Sequence, residues 1–267
     1  MLTLKRRGVL PVLVAVVLLV GGAAQGAVVW DFENPNNNPG NGYSIAEVID
    51  ADGIQVGDKL IRFIEVTTSK TQGTVAPGAD AIQVKGVRFA GMGPDGYELG
   101  LKFNGGWSAG GQEISDTTLT FSVEVVDPEL TEGWLIKDNK LSLAAFGVSD
   151  PLPGTSTEQG GIVSVSENVY AKDTELYLPN GPDNPSIADK FAYYRTDDDK
   201  DLYDEAEFDP VAKIWIKKDI VANGGDLQTG SAHLSEFYQL FSQVPEPTTM
   251  VLLGLGGLAL IRRRRRD

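Results

Sequence analysis

The stretch TLTFSVEVV, residues 118–126, alternates with period two. Leu119, Phe121, Val123 and Val125 fall on one face, and Thr120, Ser122 and Glu124 on the other. Successive side chains of a strand point to opposite faces, so this is the signature of a β-strand with one buried side. On either side of it the same alternation recurs, in KLIRFIEVTT (59–68), IQVKGVRFA (82–90), YELGLKF (97–103), KLSLAAFGV (140–148), GIVSVSENVY (161–170) and VAKIWIKKDIV (211–221). Turn sequences such as GPDG (93–96), DPLPG (150–154) and LPNGPDNP (178–185) separate them. The 31 glycines and 14 prolines suit many short connections and oppose long helices. HLSEFYQLFS (233–242) also fits a helical face, and we read it as a closing strand. Many short strands with one apolar side each predict an all-β protein, a β-sandwich of jelly-roll-like type. No internal repeat or low-complexity linker divides the body, which predicts one domain over residues 27–243.

The two ends read differently. Residues 1–26 combine Lys5, Arg6 and Arg7 with the apolar run Val9–Val20 and the small residues GGAAQGA, the layout of a secretory signal peptide. Such a leader passes through the general secretion machinery and is cut by a signal peptidase, here near Ala24–Ala27. At the other end, Met250–Ile261 is rich in Leu and Gly. As a helix it covers about 18 Å of a hydrocarbon core that is ~30 Å thick, a marginal permanent anchor. Arg262, Arg263, Arg264, Arg265 and Arg266 come directly after it, and such a cluster stays on the cytoplasmic side, placing the body outside.

The chain has no cysteine, so no disulfide and no thiolate metal site can form. Its formal charge is −14, and removing both ends, each of net charge +3, takes the body to −20. A body this acidic is repelled by nucleic-acid phosphates and anionic lipid, so nucleic acid is excluded as a partner and polyanion binding with it. Cations, basic partners and neutral glycans fit that charge.

Val244, Pro245, Glu246 and Pro247, with the short Leu/Gly segment and the arginine cluster after them, resemble the PEP-CTERM sorting signal. The resemblance spans residues 244–267 and combines motif, spacing, charge and position. It implies a Gram-negative bacterium, recognition of Pro245, Glu246 and Pro247 by a membrane-embedded exosortase, and loss of the residues beyond the motif. The membrane segment would then be a transient anchor in the inner membrane, and the protein would end at the cell surface or in the extracellular matrix of an exopolysaccharide-making, biofilm-forming cell. More loosely, Val165–Ala171, Phe208–Gly225 and Ser231–Gln243 resemble segments of ectodomains that precede such tails, which supports an all-β fold and assigns no chemistry.

Three constellations bear on chemistry. Asp197, Asp199 and Asp201 alternate within TDDDKDLYDEAEFD (196–209) and could offer oxygens to calcium. An EF-hand would need glycine where Leu202 stands and a bidentate Glu where Phe208 stands, so a solvated acidic loop is the competing reading. Trp107, flanked by glycines, reads as a loop residue able to stack on a sugar ring, against the default of packing. GWSAG (106–110) matches the nucleophile-elbow expression, with His233 downstream as the sole histidine. The elbow needs a helix after the turn, whereas here another strand comes next, so a surface hydrolase built on Ser108 and His233 lacks its context. The expectation is an exported non-enzymatic surface or matrix protein, with a carbohydrate-binding matrix protein, calcium-dependent or not, as the alternative.

Overall fold

The computed structural model describes residues 26–71, 74, 76–91, 96–126, 134–149, 160–176, 185–225 and 230–245. Residues 1–25 of the expected signal peptide and the segment 246–267 lie outside the described residues. Within the described residues, fourteen strands and one short α-helix succeed one another: β1 (Val28–Trp30), β2 (Tyr43–Ser44), α1 (Ile45–Asp50), β3 (Ile54–Val56), β4 (Lys59–Lys70), β5 (Gln83–Ala90), β6 (Tyr97–Gly110), β7 (Ile114–Val125), β8 (Trp134–Ser149), β9 (Ile162–Tyr170), β10 (Ala188–Thr196), β11 (Asp199–Asp201), β12 (Tyr203–Val211), β13 (Lys213–Asn223) and β14 (Ser231–Pro245). They form two sheets, of order β1-β3-β4-β7-β13-β9-β10-β11 and β12-β8-β14-β6-β5-β2. Apart from the parallel β1–β3 pair, neighbours run antiparallel. The fold is an all-β sandwich. Among the described residues no helix is long and apolar enough to cross a membrane.

The inward row of β7 is the one the alternation predicts: Leu119, Phe121 and Val123 are fully buried. The row continues across the same sheet in β13 (Ile214, Ile216, Ile220) and β9 (Val163, Val165, Val169), and the second sheet faces it with β6 (Leu99, Leu101, Phe103) and β14 (Phe237, Phe241). Phe103 and Phe237 stack at 4.6 Å across adjacent strands, and Phe63, Phe121 and Trp107 pack around them. At the register shift between Leu234 and Glu236, Gly105 and Gly106 of β6 oppose the single Ser235, and both Leu234 and Phe237 face inward although three positions separate them.

One short helix interrupts the strands, and one local expectation changes. Residues 45–50 form a helix because Ser44 and Glu47 make a complete capping box, the Ser44 hydroxyl accepting from Glu47 N while Glu47 Oε2 accepts from Ser44 N at 2.7 Å. Ile45 and Val48 anchor it on the core. The acid-rich stretch 196–209 is not an open loop: it turns between β10 and β11 and continues as β12. Cross-strand partners offset the poor strand propensity of its carboxylates, as in the pair of Lys137 with Glu207.

Candidate functional site

A cleft of about 460 Å³ opens on the outer face of the second sheet, where the loop after β1 crosses β5. Trp30 begins it. The Trp30 ring lies directly over Gly86, where a Cβ would stand 2.5 Å from the indole, so only glycine seats it there. The loop 31–40 is then organised by Asp31. Its Oδ1 accepts from Glu33 N (2.9 Å) and Asn34 N (2.8 Å), and its Oδ2 accepts from Asn37 Nδ2 (2.9 Å). Asn38 closes the loop, accepting from Asp31 N and donating to Asp31 O at 2.7 Å. The N–H of Asn34 foremost, with the Asn37 amide, holds the Asp31 carboxyl below the usual carboxylate range. Lys85 Nζ donates to Gly40 O at 2.6 Å and ties the far end of the loop to β5.

The walls are aromatic and cationic. Phe89, 46% exposed, meets Tyr238 edge-on at 5.8 Å. The Arg88 guanidinium lies 5.1 Å from the Phe32 ring centre and 5.3 Å from that of Tyr97. Lys102 pairs with Glu236 at 2.9 Å, and Asn104 donates to the same carboxylate. Three cations (Lys85, Arg88, Lys102) line the cleft with the carboxylate of Asp31, while Glu33 and Glu236 pair with Arg88 and Lys102 beside it, so the cleft combines paired charges with aromatic rings.

The sequence-predicted residues fall elsewhere. Trp107 is not in a loop: β6 runs through the glycines, its inward parity continues from Phe103 to Trp107 and Ala109, and the Trp107 ring is fully buried against Phe237. A buried ring cannot stack on a glycan, which corrects that expectation. Ser108 and His233 are direct cross-strand partners on β6 and β14, both exposed. The imidazole, however, leans the other way, over the bare backbone of Gly147 on β8. Asp197, Asp199 and Asp201 surround the β10–β11 turn and are engaged there. Asp199 accepts from Tyr193 Oη (2.8 Å) and pairs with Arg195 (3.2 Å), Asp197 accepts from Tyr194 Oη (3.1 Å), and Asp201 accepts from Tyr203 N. Among the described residues no three carboxylate or imidazole groups are grouped to hold a metal ion.

Pro245, the first residue of Pro-Glu-Pro, closes β14 and pairs with Trp134 of β8. The strand therefore runs two residues past the expected end of the domain. Its last residues are firmly held: Ser242 N donates to Asp138 Oδ1, Ser242 Oγ donates to Glu98 Oε1 at 2.9 Å, and buried Lys59 bridges Asp58 Oδ1 and Gln243 Oε1. Glu246, Pro247 and the cluster Arg262–Arg266 lie outside the described residues.

The family model of the PEP-CTERM protein-sorting motif matches residues 243–266. The chain carries a PEP-CTERM sorting motif. It thereby bears a signal for export and for C-terminal sorting at the cell envelope, with an exosortase as processing partner. No curated protein matches the chain. Among solved structures it is similar to TmCBM61 in complex with β-1,4-galactotriose (13% identity, 66% of this chain and 88% of that one, TM-score 0.24). It is also similar to the family 11 carbohydrate-binding module of the cellulosomal cellulase Lic26A-Cel5E of Clostridium thermocellum (7% identity, 67% and 88%, TM-score 0.17). A third is the enzymatically active domain of tailspike protein 4 of bacteriophage CBA120 (12% identity, 70% and 20%, TM-score 0.23). Scores this low carry no inference about ligand or activity.

Sequence reasoning missed one further constellation, inside the sandwich. Glu167 (β9), Lys190 (β10), Lys218 (β13), Asn139 (β8) and Gln239 (β14) form a polar layer between the sheets, none more than 4% exposed. Burial alone would raise the Glu167 carboxyl, but the ammonium groups of Lys190 and Lys218 overcome it and hold it at about 2. Burial likewise pulls the Lys218 amine down to about 8, against the opposing pull of Glu167. The signal was in the alternation: each of these residues sits at inward parity, as Glu167 does between Val165 and Val169.

Proposed function

We propose that this chain is an exported, non-enzymatic protein of the cell surface or extracellular matrix, released or attached there after exosortase processing at Pro245-Glu246-Pro247. The observation that carries this reading is that the sorting motif begins where the last strand of the sandwich ends, at Pro245. A folded unit and its address are thus contiguous, with no intervening domain for the tail to serve. The non-enzymatic part is supported by the way the exposed polar groups are used. Asp197 and Asp199 are bound up with phenols and cations, and the His233 ring turns away from Ser108 toward Gly147. Intact mass of the exported protein tests the sorting claim. A mass ending near the motif in cells with exosortase, and a longer one in cells without it, is expected; retention of Arg262–Arg266 in both overturns it.

A second reading is favoured by the cleft: the protein holds a matrix saccharide. Sugar rings stack their C–H faces on aromatic rings while planar polar groups take the hydroxyls. Phe89 and Tyr238 supply the rings here, with Arg88, Lys102 and Asn38 beside them. Retardation in gels containing neutral or uronic-acid polysaccharides tests it. Wild type should be retarded on at least one, and Phe89→Ala and Arg88→Ala should each lose at least tenfold in affinity while unfolding like wild type. Chelator should change nothing, and unretarded wild type on every polysaccharide would leave the reading without support.

A further inference from the structure

Neither the sorting tail nor the cleft uses the polar layer inside the sandwich. Four of its members are arranged as a closed ring around one carboxylate. Glu167 Oε2 accepts from Lys218 Nζ, and Glu167 Oε1 accepts from Asn139 Nδ2. Gln239 completes the ring, donating from Nε2 to Asn139 Oδ1 and accepting from Lys218 Nζ at Oε1, 2.7 Å away. An amine nucleophile and a carboxamide therefore meet at the two oxygens of a single carboxylate, with a hydrogen-bond donor on the amide oxygen. All four side chains are at most 1% exposed.

We propose that Lys218 and Asn139 are joined by an intramolecular isopeptide bond, formed by the folded protein itself with Glu167 as the catalytic proton shuttle.

Each partner has its part in the step. Glu167 Oε2 takes a proton from Lys218 Nζ, and the freed lone pair attacks Asn139 Cγ. The carbonyl electron pair moves to Oδ1, where the Gln239 N–H stabilises the developing oxyanion. Glu167 then gives that proton to Asn139 Nδ2, the Cγ–Nδ2 bond breaks and ammonia leaves, and the second proton on the new amide nitrogen passes by way of Glu167 to the ammonia, which departs as ammonium ion. A primary amine and a carboxamide become one secondary amide, and neither an oxidant nor another reactant is needed. The held geometry supplies proximity, and the absence of exposed surface keeps water from competing for the amide carbon.

Electrostatics favour the product. Before reaction the layer holds one carboxylate and two ammonium groups, Lys218 and Lys190, the latter 2.7 Å from Glu167 Oε1. An unbalanced charge in a dry interior is costly. The reaction removes the Lys218 charge and leaves Glu167 and Lys190 as a balanced pair. Burial also pulls the Lys218 amine downward, toward its neutral, nucleophilic form. The phenyl ring of Phe237, with its centre 5.3 Å from Lys218 Nζ, walls the site on one side. The bond would cross from β13 in one sheet to β8 in the other, giving a chain without cysteine the covalent tie between sheets that a disulfide gives elsewhere.

Peptide mapping of the purified, denatured wild-type protein tests this directly. The expected result is a branched peptide joining the Lys218 and Asn139 segments, lighter than their sum by one ammonia, about 17 Da, with no tryptic cut after Lys218. Recovery of separate peptides with unmodified Lys218 and Asn139 overturns the proposal, as does a branch to Gln239 in place of Asn139. The Glu167→Gln variant, mapped the same way, should yield only unbranched peptides, and a branched peptide from it removes Glu167 from the chemistry. The wild-type map decides the existence of the bond whether or not the variant folds, and it is independent of how the tail is processed.

Discussion

The interior of this sandwich has two neighbouring parts built on different physics. Beneath β4 and β7 lies an aromatic cluster of Phe63, Phe103, Phe121, Phe237 and Trp107. Beneath β13, β9 and β10 lies the polar layer around Glu167. The aromatic part is held by area and shape, which are non-directional and yield by degrees when a side chain changes. The polar layer is held by opposite charges and aimed hydrogen bonds, so removing one member strands the others. The two meet at β14, where Phe237 and Gln239 are successive inward residues.

That contrast is tested most severely at Glu167. Glu167→Ala leaves two buried ammonium groups without a counter-charge, and a loss of about 3–5 kcal/mol in denaturant-unfolding stability is expected. In the aromatic part, Phe103→Leu retains most of the apolar volume and should cost only about 1 kcal/mol in the same measurement. Equal costs for the two changes would erase the distinction drawn between them. The smallest effect is expected outside the core, where Asp116 and Asp219 lie on adjacent strands of the first sheet. Burial, then the Asp219 charge, raises the Asp116 carboxyl to about 6. Because its folded value lies above the unfolded one, the folded state binds the extra proton between about pH 4 and 6. Stability is therefore highest below that window and declines as pH rises through 6. Asp219→Asn should flatten this decline, seen as a smaller difference in Tm between pH 5 and pH 7; an unchanged difference would mean that the two carboxylates do not interact.

The same contrast governs what could be read from sequence. Strands announced by strict alternation, such as 118–125 in β7, were legible because their inward residues are apolar. The stretch 233–242, though compatible with a helix, closes the second sheet as a strand. Lys218 within KIWIKKDIV and Gln239 within FYQLF sit at inward parity too, but one polar residue on an apolar face resembles a strand edge. Only the pairing of several strands shows that these interruptions meet at one level. Trp107 was misplaced because glycines on both sides suggest a turn, whereas β6 runs on through them as one strand. The cleft was invisible for another reason: Trp30, Phe89 and Tyr238 are brought together by long-range pairing, and no local pattern marks them. The tail was the most legible part, since motif, apolar length and arginine charge are all local properties.

The place of β14 bears on timing. It runs between β8 and β6 in the middle of the second sheet, and it is the last strand of the sandwich to emerge when the chain is threaded outward from its N-terminus. Until residues 231–245 arrive, β6 and β8 have no shared neighbour and the second sheet exists as two fragments. If the arginine-backed segment behind Pro245 is held in the bilayer as proposed, that strand would have time to insert before the chain is cut loose. The address would then double as a clamp during assembly, and release would come only to molecules whose sheet is already whole.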